Sequence, residues 1–127
     1  MTKGDIKIGK IKQIALVQKD VARALPFYRD GLGLTLLFEV AGMAFFDAGG
    51  VRLMLTKASA PEFDHANSIL YFDVPDIHAA YAQCKARGVT FEQEPHALGK
   101  TGTHEIWVCA CRDPERNVIE LMEERKL

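Results

Sequence analysis

The sequence has no long apolar run and no excess of charge of either sign, and each gap removes a class of function. No stretch approaches the roughly 20 apolar residues that cross a bilayer as a helix. The opening, Met1-Thr-Lys-Gly-Asp-Ile-Lys7, is polar and charged and carries no apolar signal region. Sixteen Lys and Arg against seventeen Asp and Glu leave a net charge of −1. No basic field draws nucleic acid, and no polybasic segment holds an anionic membrane. Cysteine is scarce: Cys84, Cys109 and Cys111 are an odd set of three, too few for a disulfide framework. Cys109 and Cys111 alternate along one strand face, but no second Cys or Cys/His pair completes a tetrahedral metal site. They read as small packing residues, and a reducing, cytoplasmic compartment is the expectation. Gly-x-Ser-x-Gly, a phosphate loop and Gly-x-Gly-x-x-Gly are all missing, so neither a nucleophilic nor a hydride-transfer mechanism has support.

What is present is an internal repeat. The 127 residues, 48% hydrophobic and 26% charged, suffice for one domain with a filled core. A strand Ile11–Gln18 opens the first copy, and a strand Ser68–Val74 opens the second. Each runs through a short acidic turn into an amphipathic helix. Val21, Leu25, Tyr28 and Leu32 line one face of the first helix; Ile77, Ala80, Tyr81 and Cys84 line the second. Asp20 suits the first N-cap, and Asp76 lies in the opening turn of the second helix, where a carboxylate meets the dipole. Gly33 and Gly88 close the helices in equivalent places as left-handed C-caps. Pro26 removes a backbone donor inside the first helix and predicts a kink or a loose first turn there.

Strands follow each helix. Thr35–Val40, Met43–Ala48 and Val51–Thr56 are separated by Ala41-Gly42 and Gly49-Gly50. In the second copy Thr90–Gln93 is followed by His104–Cys111 and Asn117–Glu123, which flank the turn Asp113-Pro-Glu-Arg116. The stretch 94–103, with Pro95, Gly99 and Gly102, reads as a mobile loop of the kind that borders a site. The expected fold is α+β: one domain over 1–127, made of a βαβββ module over about 9–57, a linker over 58–67 and a second module over about 68–124.

Phe27-Tyr-Arg-Asp-Gly-Leu-Gly-Leu34 at the first helix end, Ile14-Ala-Leu-Val17 before it, Glu105-Ile-Trp107, and Arg112-Asp-Pro-Glu-Arg-Asn-Val-Ile-Glu-Leu121 carry a resemblance. In order and spacing they resemble the vicinal oxygen chelate superfamily of glyoxalases, bleomycin-resistance proteins and extradiol dioxygenases. The resemblance covers roughly residues 9–124. It implies two curved mixed sheets around a cavity, and a homodimer. Arg116 departs from the family, whose final turn usually has glycine there.

Strand alternation assigns faces. Ile14 and Leu16 share one apolar face of the first strand, and Ile119 and Leu121 one face of the last. With helices covering those faces, Gln13 and Glu120 point to the cavity side, with Arg52 and Met54 from the fourth strand and Ser68, Leu70 and Phe72 from the fifth. The apolar set Ile106, Val108 and Ala110 suits the helix side, which leaves Glu105, Trp107, Cys109 and Cys111 toward the cavity.

In metal-dependent relatives four inward positions hold a divalent ion that polarises an oxygen-bearing substrate. The matching positions are Gln13, Met54, Ser68 and Glu120. Only Gln13 and Glu120 are competent oxygen ligands, since Met54 is a soft thioether and Ser68 a weak neutral donor. Glu105 is either a third ligand or a carboxylate at the wet end of a strand. His65, His78 and His96 read as solvated side chains.

Two functions follow, with a regulatory binding module without turnover as a third. The first is a small-molecule-binding protein of the bleomycin-resistance type. Its cavity between modules sequesters a partly aromatic or polar ligand against Phe46, Phe72, Met54 and Trp107, with Arg52, Ser68, Glu105, Gln13 and Glu120 orienting polar groups. The second is a lyase, isomerase or dioxygenase in which Zn, Ni, Mn or Fe sits at Gln13 and Glu120 with a further ligand, and Glu120 is catalytic. A bound divalent metal and none are equal expectations. The partners expected are a small molecule and a second copy of the chain, with neither nucleic acid nor membrane.

Overall fold

The computed structural model describes residues 6–127, so part of the polar opening lies outside the described residues. In chain order the elements are β1 (Gln13–Val17), α1 (Val21–Pro26), β2 (Thr35–Val40), β3 (Met43–Ala48), β4 (Val51–Thr56), β5 (Leu70–Asp73), α2 (Ile77–Ala86), β6 (His96–Lys100), β7 (His104–Arg112) and β8 (Val118–Lys126). They form two four-stranded mixed sheets, β1-β4-β3-β2 and β5-β8-β7-β6. In each, the first strand runs parallel to the last and antiparallel hairpins supply the rest. This is the α+β, two-module architecture expected from the repeat.

The two helices start alike. Asp20 accepts from the Arg23 backbone N–H and Asp76 from that of Ala79, each at 3.1 Å, so both are N-caps. Gly33 and Gly88 sit at φ 75° and 91°, the left-handed turn that ends each helical segment. Pro26 acts as its missing N–H predicts. Beyond it α1 loosens into a π-helical turn, Phe27–Gly31, in which the Leu32 N–H reaches the Phe27 carbonyl.

One segment differs from the sequence reading. The stretch 94–103, expected as a mobile loop, contains the edge strand β6, whereas Thr90–Gln93 contributes only the isolated bridge Phe91–Cys111. The Pro and Gly around β6 mark an irregular edge strand: its pairing with β7 slips between Ala97 and Gly99.

Both helices lie over the same side of their sheets, and the covered faces share one core. Leu16, Tyr28, Phe46, Leu53 and Leu55 from the first module meet Ile77, Cys109, Cys111, Ile119 and Leu121 from the second in one buried cluster. A Cβ added at Gly31 would lie 2.9 Å from Val89 Cγ2, so the end of the first helical segment approaches the second module closely. A buried carboxylate fastens the joint. Asp113 accepts from Gln18 Nε2, Tyr28 Oη and Asn117 Nδ2, and from the backbone N–H groups of Glu115 and Asn117. Next to it Glu115 accepts from the backbone N–H groups of Lys19 and Asp20 at 2.6 and 2.7 Å. The turn between β7 and β8 thus holds the entry to α1. None of the helices among the described residues is long and apolar enough to cross a membrane.

Candidate functional site

With one face of each sheet committed to the shared core, the other face is free for chemistry. On the first sheet that open face is set by register: Gln13 pairs with Arg52 and Ala15 with Met54, and across the hairpin Phe45 pairs with Met54 and Asp47 with Arg52. Gln13, Arg52 and Met54 are on the side the alternation assigned. They are also bonded to one another. Arg52 Nε donates to Gln13 Oε1 at 2.8 Å, and Gln13 Nε2 donates to Met54 Sδ at 3.6 Å. The Arg52 guanidinium carbon lies 5.7 Å from the Phe45 ring centroid, and Phe45 stacks on Phe38 at 4.5 Å.

Two hollows flank this trio. One, of about 450 Å3, is lined by Ala15, Val17, Met43, Met54 and Phe63, with His65 and Asn67 among its polar groups. The other, of about 220 Å3, is ringed by Lys10, Lys12, Asp47 and Arg52. Met43, Phe45, Phe63 and the two lysines were not singled out by sequence reasoning. Phe45 carried no distinguishing signal, because Ala44-Phe-Phe46 presents an aromatic ring to each face of β3. His65, read as a solvated loop residue, borders the larger hollow.

Phe46, expected to wall the cavity, instead has no exposure and packs on Tyr28 at 6.0 Å inside the shared core. Phe72 is on the helix-covered side too, but it is only half-buried, and with Leu70, Ile14 and Leu34 it lines a hollow of about 510 Å3 between the modules. Phe72 pairs with Leu121 as Leu70 pairs with Ile119, so Tyr71, the register partner of Glu120, occupies the open side of β5. The cause is a one-residue slip in superposing the repeats, which exchanges the two faces of a strand. Counting back seven residues from the N-caps Asp20 and Asp76 sets Gln13 level with Ile69, not Ser68, and Ser68 itself is exposed ahead of β5. The capping residues were a signal that would have set this register.

β7 is also turned relative to the expected orientation. Cys109 pairs with Leu121 and Cys111 with Ile119, which puts both thiols and Trp107 on the α2 side and Val108 and Ala110 on the side of Glu120. Both faces of β7 are apolar, so alternation alone did not choose between them. Glu105 and Trp107 belong to a cluster at the start of α2. The Trp107 indole donates to Glu105 at 2.8 Å, His78 lies edge-on to Trp107, and Arg125 covers the Trp107 ring at 4.2 Å. Arg125 also pairs with Glu123, which accepts the Ile77 backbone N–H; that hydrogen bond and then Arg125 hold its carboxyl below the ordinary glutamate range. This cluster anchors a helix and does not face Glu120.

The divalent ion that the fold family implies can be tested against these residues. The carbonyl oxygen of Gln13 faces a guanidinium, and a cation in its place would meet a like charge. Met54 offers only a thioether, and Ile69 stands where a fifth-strand ligand belongs. Glu120 lies in the other sheet, between Ala110 and Tyr71. Among the described residues no three His, Cys, Asp or Glu side chains are placed to hold a metal ion. The donor set does not fit a hard divalent ion.

A two-module α+β chain with an amphipathic open sheet face is thus the class that fold and site define. The chain belongs to the Glyoxalase/Bleomycin resistance protein/Dioxygenase superfamily, whose family model matches residues 10–121. It is 29% identical over 126 residues to the uncharacterized protein YraH of Bacillus subtilis, spanning 88% of this chain and 96% of that one. Among solved structures, a member of the superfamily from Sphaerobacter thermophilus superposes with a TM-score of 0.77 at 22% identity, covering 92% of this chain and 98% of the other. A lactoylglutathione lyase from Agrobacterium tumefaciens superposes with a TM-score of 0.74 at 23% identity, covering 91% and 94%. At that identity the structural likeness speaks for the fold.

Proposed function

We propose that this protein binds a small molecule on the open face of its first sheet, without a divalent ion at Gln13. The carrying observation is the chain of contacts Arg52–Gln13–Met54. It occupies the position of a metal half-site with a guanidinium and a thioether, and it borders an apolar hollow of about 450 Å3, within the usual size range of ligand pockets. Met43 and Met54 give the hollow adaptable walls.

A homodimer is part of the proposal. Phe38 and Val40 on β2, and Ile69 and Tyr71 at β5, are each about half exposed, at 44, 52, 48 and 51%. A second copy is the simplest cover for such apolar area on a chain of this size.

Elemental mass spectrometry tests the metal-free reading, on native protein and on Glu120→Ala after soaking in Zn, Ni, Mn and Fe. The expected result is far less than one ion per chain in both. Near-stoichiometric metal that disappears in Glu120→Ala would restore the metal-dependent lyase, isomerase or dioxygenase. Sedimentation at micromolar concentration is expected to give twice the chain mass; a monomer removes the dimer from the proposal.

A further inference from the structure

We infer that the ligand is an organic acid, its carboxylate gripped by Arg52 and its apolar body lying over Met54 in the larger hollow. This rests on the reading that the open face of the first sheet is the binding site, and it adds the chemical class of the ligand.

Lys10, Lys12 and Arg52 ring the smaller hollow, with Asp47 as its one carboxylate among the described residues. Among the described residues the ion pairs are Arg23–Glu115, Arg29–Asp30, Arg112–Glu92 and Arg125–Glu123, so these three cations are paired with no carboxylate. Asp47 is turned to its own hairpin, where it accepts the Gly50 N–H at 3.0 Å. Lys10 spends one donor on the Gly50 carbonyl, also at 3.0 Å. The hollow therefore carries an excess of positive charge that nothing described in the chain neutralises.

Arg52 is held in a way that prepares it for an anion. A guanidinium has five N–H donors in a rigid fork. Here one, on Nε, goes to Gln13, and the guanidinium carbon lies 5.7 Å from the Phe45 ring centroid. The terminal nitrogens make no hydrogen bond among the described residues, and a carboxylate matches their paired N–H groups in a bidentate contact. Gln13 is a positioning residue in this arrangement: its oxygen fixes the guanidinium, and its amide is in turn held by Met54.

The apolar side follows from spacing. Arg52 and Met54 are two residues apart on one strand face, about 7 Å, and Met54 lines the larger hollow with Ala15 and Met43. A molecule whose carboxylate sits at Arg52 thus places its next several atoms over sulfur and methyl groups. An aryl or alkyl carboxylic acid fits both ends, and a neutral molecule leaves the guanidinium unanswered.

Calorimetric titration of phenylacetate and its neutral counterpart phenylacetamide tests this, at low ionic strength, with methyl NMR of Met43 and Met54 locating the site. The wild-type chain is expected to bind the acid at least tenfold tighter than the amide, as befits hydrogen bonds to a charged group. Arg52→Gln should erase that preference, the acid losing at least about tenfold in affinity; Arg52→Lys, which keeps charge and loses the fork, should retain part of it. Gln13→Leu should narrow the acid-to-amide ratio about threefold without weakening the amide, a readout that a merely structural role would not move. Equal affinity for acid and amide in the wild type, or an undiminished preference in folded Arg52→Gln, overturns the inference and leaves the binding face standing. If neither compound binds or moves the two methionine methyls, both this inference and the placement of the site fall.

Discussion

The Tyr28 hydroxyl donates a 2.7 Å hydrogen bond to Asp113 Oδ2 across 85 residues of sequence, joining the first helical segment to the last hairpin of the second module. Both groups are buried. A buried carboxylate is tolerated only when its lone pairs are answered, and Asp113 is answered by five donors from both modules. Burial first, and the Asp113 charge second, push the Tyr28 hydroxyl far above the ordinary tyrosine range. It therefore keeps its proton and its donor role through the neutral range.

That clasp predicts a graded loss of stability. Tyr28→Phe removes one donor and leaves the carboxylate with four, which should cost about 1–3 kcal/mol in urea denaturation. Asp113→Ala strands the Gln18 and Tyr28 donors together and should cost more. A Tyr28→Phe change below about 0.5 kcal/mol would show that solvent or a neighbour replaces the bond.

Arg116 sits at φ 69°, so the position that glycine usually occupies in this turn does require the left-handed region. An L-residue there costs about 1–2 kcal/mol. Its structural bond, from Arg112 Nη1 to the Arg116 carbonyl, is to the backbone and survives side-chain removal. Arg116→Gly is therefore expected to raise stability by about 0.5–1 kcal/mol, after glycine's greater freedom in the unfolded chain offsets part of the strain. Thermal unfolding measures it, and a lower midpoint would mean the arginine side chain contributes more than the strain costs.

The thiols give a pH dependence. Burial pushes Cys109 and Cys111 up to about 12, and Cys84 up as well, from the usual thiol range near 9. Above about pH 9 the unfolded chain loses thiol protons that the folded chain keeps. Stability then falls as pH rises, by at most about 1.4 kcal/mol per unit for each thiol until the folded value is reached. Native protein at pH 8 should leave all three thiols unreactive toward an aromatic disulfide and expose all three in guanidinium. The decline between pH 9 and 11 should be shallower in Cys109→Ala/Cys111→Ala. Fast labelling of native Cys109 or Cys111 would contradict their burial.

Much of the fold was written in local signals. The Asp N-caps, the glycines after each helix and the paired-glycine hairpin between β3 and β4 place the elements with little help from long-range contacts, because capping and turn conformations are decided within a few residues. The repeat gives the two-module plan. Alternation served where one face is polar: Gln13, Arg52 and Glu120 each interrupt an apolar pattern, and each lies opposite the core.

What only the tertiary structure decided is which of two apolar faces turns inward, and which side chains meet. Nothing local separates Phe45 from Phe46, Leu70 from Ile69, or Cys109 from Val108. Their burial follows from strand register and from where α1 and α2 settle, so a single-residue slip moves a whole set of side chains. The bond between Arg52 and Gln13 joins strands 39 residues apart, and it turns what reads in the sequence as a possible metal ligand into the support of a cation. Sequence alone determined that Gln13, Arg52 and Met54 would sit on the open face of β1 and β4; only the parallel pairing of those strands determined what the trio does, because side-chain chemistry at a site depends on distance in space and local pattern carries no long-range distances.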